Sequence, residues 1–376
     1  MNEALKEVRS EIDTIDKELL ALFAKRMEIS HKVAEIKIKN NMAIVDEVRE
    51  NELVAAAVAD LQSREQGETA IFLRTLMTLS KRRQRAHILG EKTEVLLPTA
   101  TPAATGSYKV GYQGIAGAWG EQATLQVFPD QERIAHEQFE DVFLAVKEKT
   151  IRYGIIPVEN SQSGAIGEVY DLLRKYGAYV VGQTYVSVNQ CLMGVPGTKI
   201  SEIREVISHP QGFKQCNQFL RTQNWDLTAC RNTAVAASLV AEKKDNRLAA
   251  IAGVRAAEIH GLEILNDNIV GDKSNKTRFI VIAQAPEYTE KSNMVSVIFR
   301  TAHRSGALCD LLFVLSSENI NMARIESRPV ADGKYCFFVD LEGNIQDPMM
   351  VRALEQASAS CGFMEVLGCY EKESKQ

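Results

Sequence analysis

No apolar run in this 376-residue sequence approaches the ~20 residues that cross a bilayer, which excludes an integral helical membrane protein. A basic excess is also missing. The 44 Lys and Arg stand against 49 Asp and Glu, leaving a net charge of −5. General nucleic-acid binding favours the opposite balance, and no helix-turn-helix pattern is present. The seven cysteines form no C-x-x-C pair and the six histidines no H-E-x-x-H, so no metal site is expected. Scattered thiols, with a first stretch MNEALKEVRSEID charged from the start, fit a cytoplasmic protein without a signal peptide. GYQGIAGAWG (111–120) places a glycine at every third position, but the G-x-G-x-x-G of a dinucleotide loop is absent, and no cofactor is expected. No internal repeat is visible.

What is present falls into three rhythms, enough chain for two or three domains. Residues 1–90 contain no proline and only Gly67 and Gly90. Leu5, Val8, Ile12, Ile15, Leu19, Leu22, Ile29, Val33 and Ile36 recur at helical steps. The pattern predicts an all-α domain with helices over 2–40, 45–62 and 68–89. The first would run ~57 Å, longer than an ordinary globular helix, and so calls for another long helix in the same chain or a partner. Residues 91–107 are rich in Thr, Ala and Pro and read as a linker. From 108 to 285 strands and helices alternate, predicting open α/β sheets in two lobes around a cleft. Residues 292–370 read as βαββαβ, an α+β ferredoxin-like fold.

Within the helical segment Arg26 and Lys37 fall within ~20° of one another and ~16 Å apart along the axis. They could grip an anion with two separated carboxylates, or lie as solvated charges. Asp46, Arg49 and Glu50 share a face of the second helix, and Ser80 and Gln84 share one of the third. KRRQR (81–85) reads as a solvated basic face. Together with Arg9, these polar residues resemble the all-helical chorismate mutases, eight positions in order. The resemblance implies that Arg9, Arg26 and Arg49 bind carboxylates and that Lys37 and Gln84 stabilise the ether oxygen. Glu50 would hold the substrate hydroxyl, with Asp46 and Ser80 also lining the site. The Claisen rearrangement of chorismate needs no nucleophile, metal or redox group, only a compact conformer and donors beside the breaking C–O bond. Because Arg9 and Arg26 are ~25 Å apart on one helix, Arg9 is expected to cross from a two-fold-related copy in a homodimer or a dimer of dimers.

In the middle segment PVENSQSGA (157–165), SHPQGFKQC (208–216) and RNTAVAA (231–237) are strand-to-helix turns of small polar residues, where anions bind. These turns and Thr277-Arg278-Phe279 resemble the signatures of prephenate dehydratases, a two-lobed, periplasmic-binding-protein-like α/β fold. The resemblance implies that Thr277 assists the departing hydroxyl through a network with Asn160, Gln215 or Glu159. Ser161, Ser208, Thr233 and Phe279 would line the substrate site. Arg278 would hold a substrate carboxylate or form a buried ion pair. Where that family carries a hydroxyl residue in its first glycine loop, this chain has Gly120, which leaves backbone N–H groups as donors.

In the last segment Gly306-Ala307-Leu308 and Glu326-Ser327-Arg328-Pro329 resemble the motifs of amino-acid-binding ACT domains attached to these dehydratases. L-phenylalanine is the implied effector, with Glu326 and Arg328 as ion-pair and interface residues; a dimerisation module without ligand is the alternative. The combined expectation is a bifunctional enzyme of phenylalanine biosynthesis, acting on chorismate and prephenate and inhibited by phenylalanine. The alternatives are an arogenate dehydratase and a non-catalytic small-anion-binding protein.

Overall fold

The computed structural model describes residues 3–89, 98–303, 305–330 and 334–372. Gly90 and residues 91–97 of the expected linker lie outside the described residues. By internal contacts the chain divides into two compact units. One takes described residues of 1–96, 299–320 and 348–364, and the other those of 97–298, 321–347 and 365–376.

Three helices dominate the first unit: α1 (Glu3–Lys39), α2 (Glu47–Val58) and α3 (Ser63–Leu89). The second starts at Glu47 rather than at 45 because Asp46 caps it, its carboxylate accepting the Arg49 backbone N–H at 3.1 Å, and it ends early, at Val58. Successive contacts (Arg26 to Leu76 and Ser80, His31 to Arg83, Glu35 to His87) show α1 and α3 running parallel. The face of α1 buried on α3 is small and polar, with Ser30 and Ala34 fully covered. Its apolar stripe stays outside: Leu5, Val8, Ile12, Ile15, Leu19, Leu22, Ile29 and Ile36 are all exposed. The KRRQR run is only in part a solvated face, with Arg83 exposed. Lys81 is buried against Glu50 at 2.8 Å, and Arg82 reaches Ser317 and Glu318, each at 2.9 Å.

The second unit opens with β1 (Lys109–Gln113), α4 (Trp119–Val127), β2 (Glu132–His136), α5 (Phe139–Lys147), β3 (Tyr153–Asn160), β4 (Gly164–Ala165), α6 (Gly167–Tyr176) and β5 (Tyr179–Ser187). The chain then crosses to a second lobe. Its elements are β6 (Gln190–Gly194), β7 (Glu205–Ser208), α7 (Pro210–Gln215), α8 (Asn217–Leu220), β8 (Asp226–Ala229), α9 (Thr233–Lys243), β9 (Leu248–Gly253), α10 (Val254–His260) and β10 (Glu263–Asn266). It returns as β11 (Lys276–Ala283) to complete the first sheet, ordered β2-β1-β3-β11-β5 with β4 on β3. The second sheet is ordered β10-β6-β9-β7-β8. The parallel strands β1 and β3 of one lobe and β7 and β8 of the other bring their carboxyl ends to the cleft between the lobes.

The remaining elements are β12 (Met294–Arg300), α11 (Ala307–Ser317), β13 (Met322–Pro329), β14 (Tyr335–Glu342), α12 (Pro348–Ser358) and β15 (Phe363–Tyr370). This is the expected βαββαβ order, and the sheet order β13-β14-β12-β15 is that of a ferredoxin-like fold. By contacts, α11 and α12 fall in the first unit and most of the sheet in the second.

Candidate active sites

Two constellations emerge. The first lies on the α1–α3 seam of the helical unit. The Arg26 guanidinium donates to the Leu76 carbonyl at 2.8 Å and to the Ser80 hydroxyl, so it is anchored on α3. Lys37 Nζ donates to the Ile44 carbonyl at 2.5 Å, and Glu50 is held by Lys81. Gln84 is buried, and its side-chain oxygen has no partner among the described residues. A buried amide oxygen left unpaired costs about 1–3 kcal/mol, a cost that a bound ligand can offset. Arg49 is exposed, Asp46 serves as the cap of α2, and Arg9 is exposed far along α1. A single chain thus brings Arg26, Lys37, Glu50, Ser80 and Gln84 to helices α1–α3, while Arg9 stays apart.

The second is the cleft between the lobes, about 410 Å³ in volume. Asn160 ends β3 opposite Thr277 of β11. Its Nδ2 donates to Thr277 Oγ1 at 3.0 Å and to Asn275 Oδ1 at 2.8 Å. Its Oδ1 accepts from the backbone N–H groups of Gln162 (3.1 Å) and Ser163 (3.2 Å), which fixes the amide orientation. With its oxygen accepting from Asn160, the Thr277 hydroxyl keeps its own proton to donate. Gln215 accepts from Gln190 Nε2 at 3.1 Å, and Thr233 opens α9 at the cleft wall. Gly120 sits in the first turn of α4. A Cβ there would come within 2.7 Å of the Gln113 carbonyl, so glycine is what lets α4 approach β1 this closely.

Several expected residues do not line the cleft. Arg278 points to the opposite face of β11 from Thr277, as strand alternation requires, and pairs with Asp340 at 2.7 Å. The alternative reading, a buried ion pair, is the one found. Desolvation by burial lowers the Arg278 pKa, but the neighbouring Asp340, Tyr370 and Tyr185 together hold it above its ordinary value. Phe279 lies in the core with Val110, Tyr153 and Ile155. Ser208 is fully buried and donates to the Ile251 carbonyl at 2.7 Å. Ser161 donates to Asn275 at 3.1 Å and accepts from the Lys276 N–H. Glu159 pairs with Arg324 at 3.2 Å.

Sequence reasoning passed over Gln190, His209 and Gln211, all at the cleft. Gln190 is buried with an unpartnered side-chain oxygen. His209 Nδ1 accepts the Gln211 N–H at 3.2 Å, which puts the proton of the neutral ring on Nε2. Burial lowers its pKa, keeping it neutral. His209 and Gln211 stand inside the SHPQ turn, where the signal for them was available.

Residues 110–287 match the family model of prephenate dehydratase, and residues 8–85 that of chorismate mutase type II. The bifunctional chorismate mutase/prephenate dehydratase of Escherichia coli is 29% identical over 386 residues, covering 98% of this chain and 96% of the relative. This chain belongs to that bifunctional family. An Arabidopsis thaliana arogenate dehydratase/prephenate dehydratase is 36% identical over 280 residues, 70% of this chain and 71% of the relative. The crystal structure of an Arthrobacter aurescens prephenate dehydratase in complex with L-Phe superposes with a TM-score of 0.66 at 25% identity, covering 71% of this chain and 91% of that one.

Proposed function

We propose that the chain performs two consecutive steps in separate sites, with residues 1–90 turning chorismate into prephenate and residues 108–285 turning prephenate into phenylpyruvate. The Asn160–Thr277 hydrogen bond in a cleft lined by no described carboxylate carries the second assignment. Dehydration of prephenate breaks the bond from the ring to its carboxylate. Carbon dioxide leaves, the electron pair enters the ring, and the C–O bond to the hydroxyl breaks as the ring becomes aromatic. The departing hydroxide takes up one proton to leave as water. The Thr277 hydroxyl, oriented by Asn160, donates to that oxygen, with His209 Nε2 as a second neutral donor. The described residues lining the cleft include no carboxylate, which leaves the dianionic substrate unopposed by like charge within it.

In the helical site Arg26 binds a chorismate carboxylate, and Lys37 and Gln84 donate to the ether oxygen. The exposed apolar stripe of α1 supports a homodimer, in which Arg9 of a second copy completes each site. Prephenate is favoured over arogenate because the same chain makes it. L-phenylalanine is the proposed effector, supported by the L-Phe complex of the Arthrobacter relative. Gly306, at φ 78°, turns the chain into Ala307 and Leu308 with open space where a side chain would be. On β13, Glu326 lies beside Arg324, and Arg328 pairs with Asp171 at 2.9 Å. Ser327 and Pro329 alternate to the exposed face. The free cysteines suit a reducing cytoplasm.

The test is a parallel assay of the full chain with chorismate, prephenate and arogenate, read by the ultraviolet absorbance of phenylpyruvate for the first two and by the phenylalanine released for the third. Phenylpyruvate should form from the first two. A chain that binds prephenate and returns it unchanged would be a binding protein, and one that acts on arogenate alone would shift the substrate.

A further inference from the structure

Prephenate carries two carboxylates, one on the ring and one on the pyruvyl arm, so the cleft must hold a dianion. The residue expected to neutralise one of them, Arg278, is committed to Asp340 inside the fold. Among the described residues lining the cleft, Arg231 alone carries a fixed positive charge. The rest of the polar wall is uncharged at neutral pH, mostly amides such as Asn160, Gln190, Gln211 and Gln215. Amides orient a carboxylate but do not balance its charge, and an unbalanced anion leaves water at a heavy cost.

Arg231 stands between β8 and α9, directly before the helix cap Asn232. It borders the cleft and also an adjoining recess of about 400 Å³ that includes His136 and Glu137. From the second lobe its Nη1 donates to Glu137 Oε1 of the first at 2.7 Å. The Glu137 carbonyl is in turn fixed by Gln113 Nε2 at 3.1 Å. The two side chains are 63% and 68% exposed, so the pair contributes little to stability. A structural strut is therefore a poor account of it. The pair engages one edge of the guanidinium, and a guanidinium has five donors, enough to hold a second carboxylate.

We propose that Arg231 is a substrate-binding residue that takes one carboxylate of prephenate, with Glu137 positioning its guanidinium at the cleft mouth. The inference rests on prephenate being the substrate. Adjacent N–H groups at the start of α9 complement the charge, although Asn232 already satisfies that of Val235 at 2.8 Å. No step of bond breaking passes through Arg231, so its removal weakens binding rather than chemistry.

The experiment compares Arg231→Gln, Arg231→Lys and Glu137→Gln in the full chain, with prephenate as the substrate of the steady-state assay. Arg231→Gln should raise KM by about 10- to 100-fold, the size of a lost charged hydrogen bond, and leave kcat within ~3-fold. Arg231→Lys should recover part of the loss, and Glu137→Gln should shift KM by less than ~3-fold. A cooperative urea transition at the wild-type midpoint in all three shows that the α/β unit is intact, and an unchanged chorismate mutase rate shows the same for the helical unit. An unaltered KM in Arg231→Gln overturns the proposal. So does a Glu137→Gln that raises KM as much as Arg231→Gln, because the ion pair rather than the cation would then matter. Failure of wild type to turn over prephenate would instead sink the substrate reading beneath it.

Discussion

The helical unit and the cleft unit treat their apolar residues in opposite ways. In the cleft unit both sheets are covered, and β9 and β11 are buried almost throughout, as strands protected on both faces are. The site there assembles from one chain, with Asn160 and Thr277 paired on neighbouring strands. In the helical unit α1 buries a seam of Ser30 and Ala34 while Ile12, Ile15 and Leu22 face outward. Those residues gain nothing from a single copy, and Arg9 lies a long way from Arg26 along the same helix. One site is a property of the fold, and the other, on the homodimer proposed above, is a property of an assembly.

The sharpest break of this comparison comes from the cleft unit's own interior. Arg278→Ala strands Asp340 beside Ser296, which donates to it at 2.5 Å, and removal of one partner from a buried pair costs about 3–5 kcal/mol. Urea unfolding should show a loss of that order, and Asp340→Ala a similar one. Dehydratase KM should stay within ~3-fold in whatever remains folded, whereas a substrate-binding Arg278 would raise it strongly.

Next in size is the helical site. Arg26→Ala removes a cation anchored on Ser80 and the Leu76 carbonyl, and mutase turnover should fall by about 10²–10³-fold, as for a lost electrostatic donor. Arg9→Ala should be comparably inactive. When both variants are unfolded together and refolded, about half of the dimers are hybrids with one intact site, so roughly a quarter of wild-type activity returns. A mixture in which hybrids form and activity does not return would make Arg9 no part of a shared site.

The smallest effect is one of pH. Burial lowers the pKa of both His136 and His209 from the ordinary 6.5. The unfolded chain then binds protons that the folded one refuses, so the stability these groups permit is full above 6.5 and declines as pH falls below it. His209→Asn should flatten that decline in urea midpoints between neutrality and the onset of carboxylate titration. An unchanged slope would mean that the ring is not held neutral.

These contrasts also mark where the sequence was legible. Helical spacing at Leu5, Val8 and Ile12 announced α1, because periodicity is a local property. It could not say what that stripe packs against, because the stripe stays exposed in the single chain. In the cleft, the turns around Asn160, Gln215 and Thr233 were legible as strand-to-helix junctions. Contiguous motifs misled where strand alternation intervenes: Thr277 faces the cleft, Arg278 the far side, and Phe279 the core past a register shift against β3. Ser208 looked like a ligand donor and instead ties β7 to β9 through Ile251. Arg231 was passed over because a lone arginine before a helix cap is indistinguishable, in sequence, from a solvated charge.

The claim that one chain holds two independent sites is tested most directly by following chorismate through Thr277→Ala. This variant should consume chorismate at the wild-type rate, accumulate prephenate, and release phenylpyruvate ~10²-fold more slowly or worse, the size of lost proton-transfer assistance. Phenylpyruvate formed at the normal rate would remove Thr277 from the dehydration, and a parallel loss of chorismate consumption would contradict the separation of the two sites.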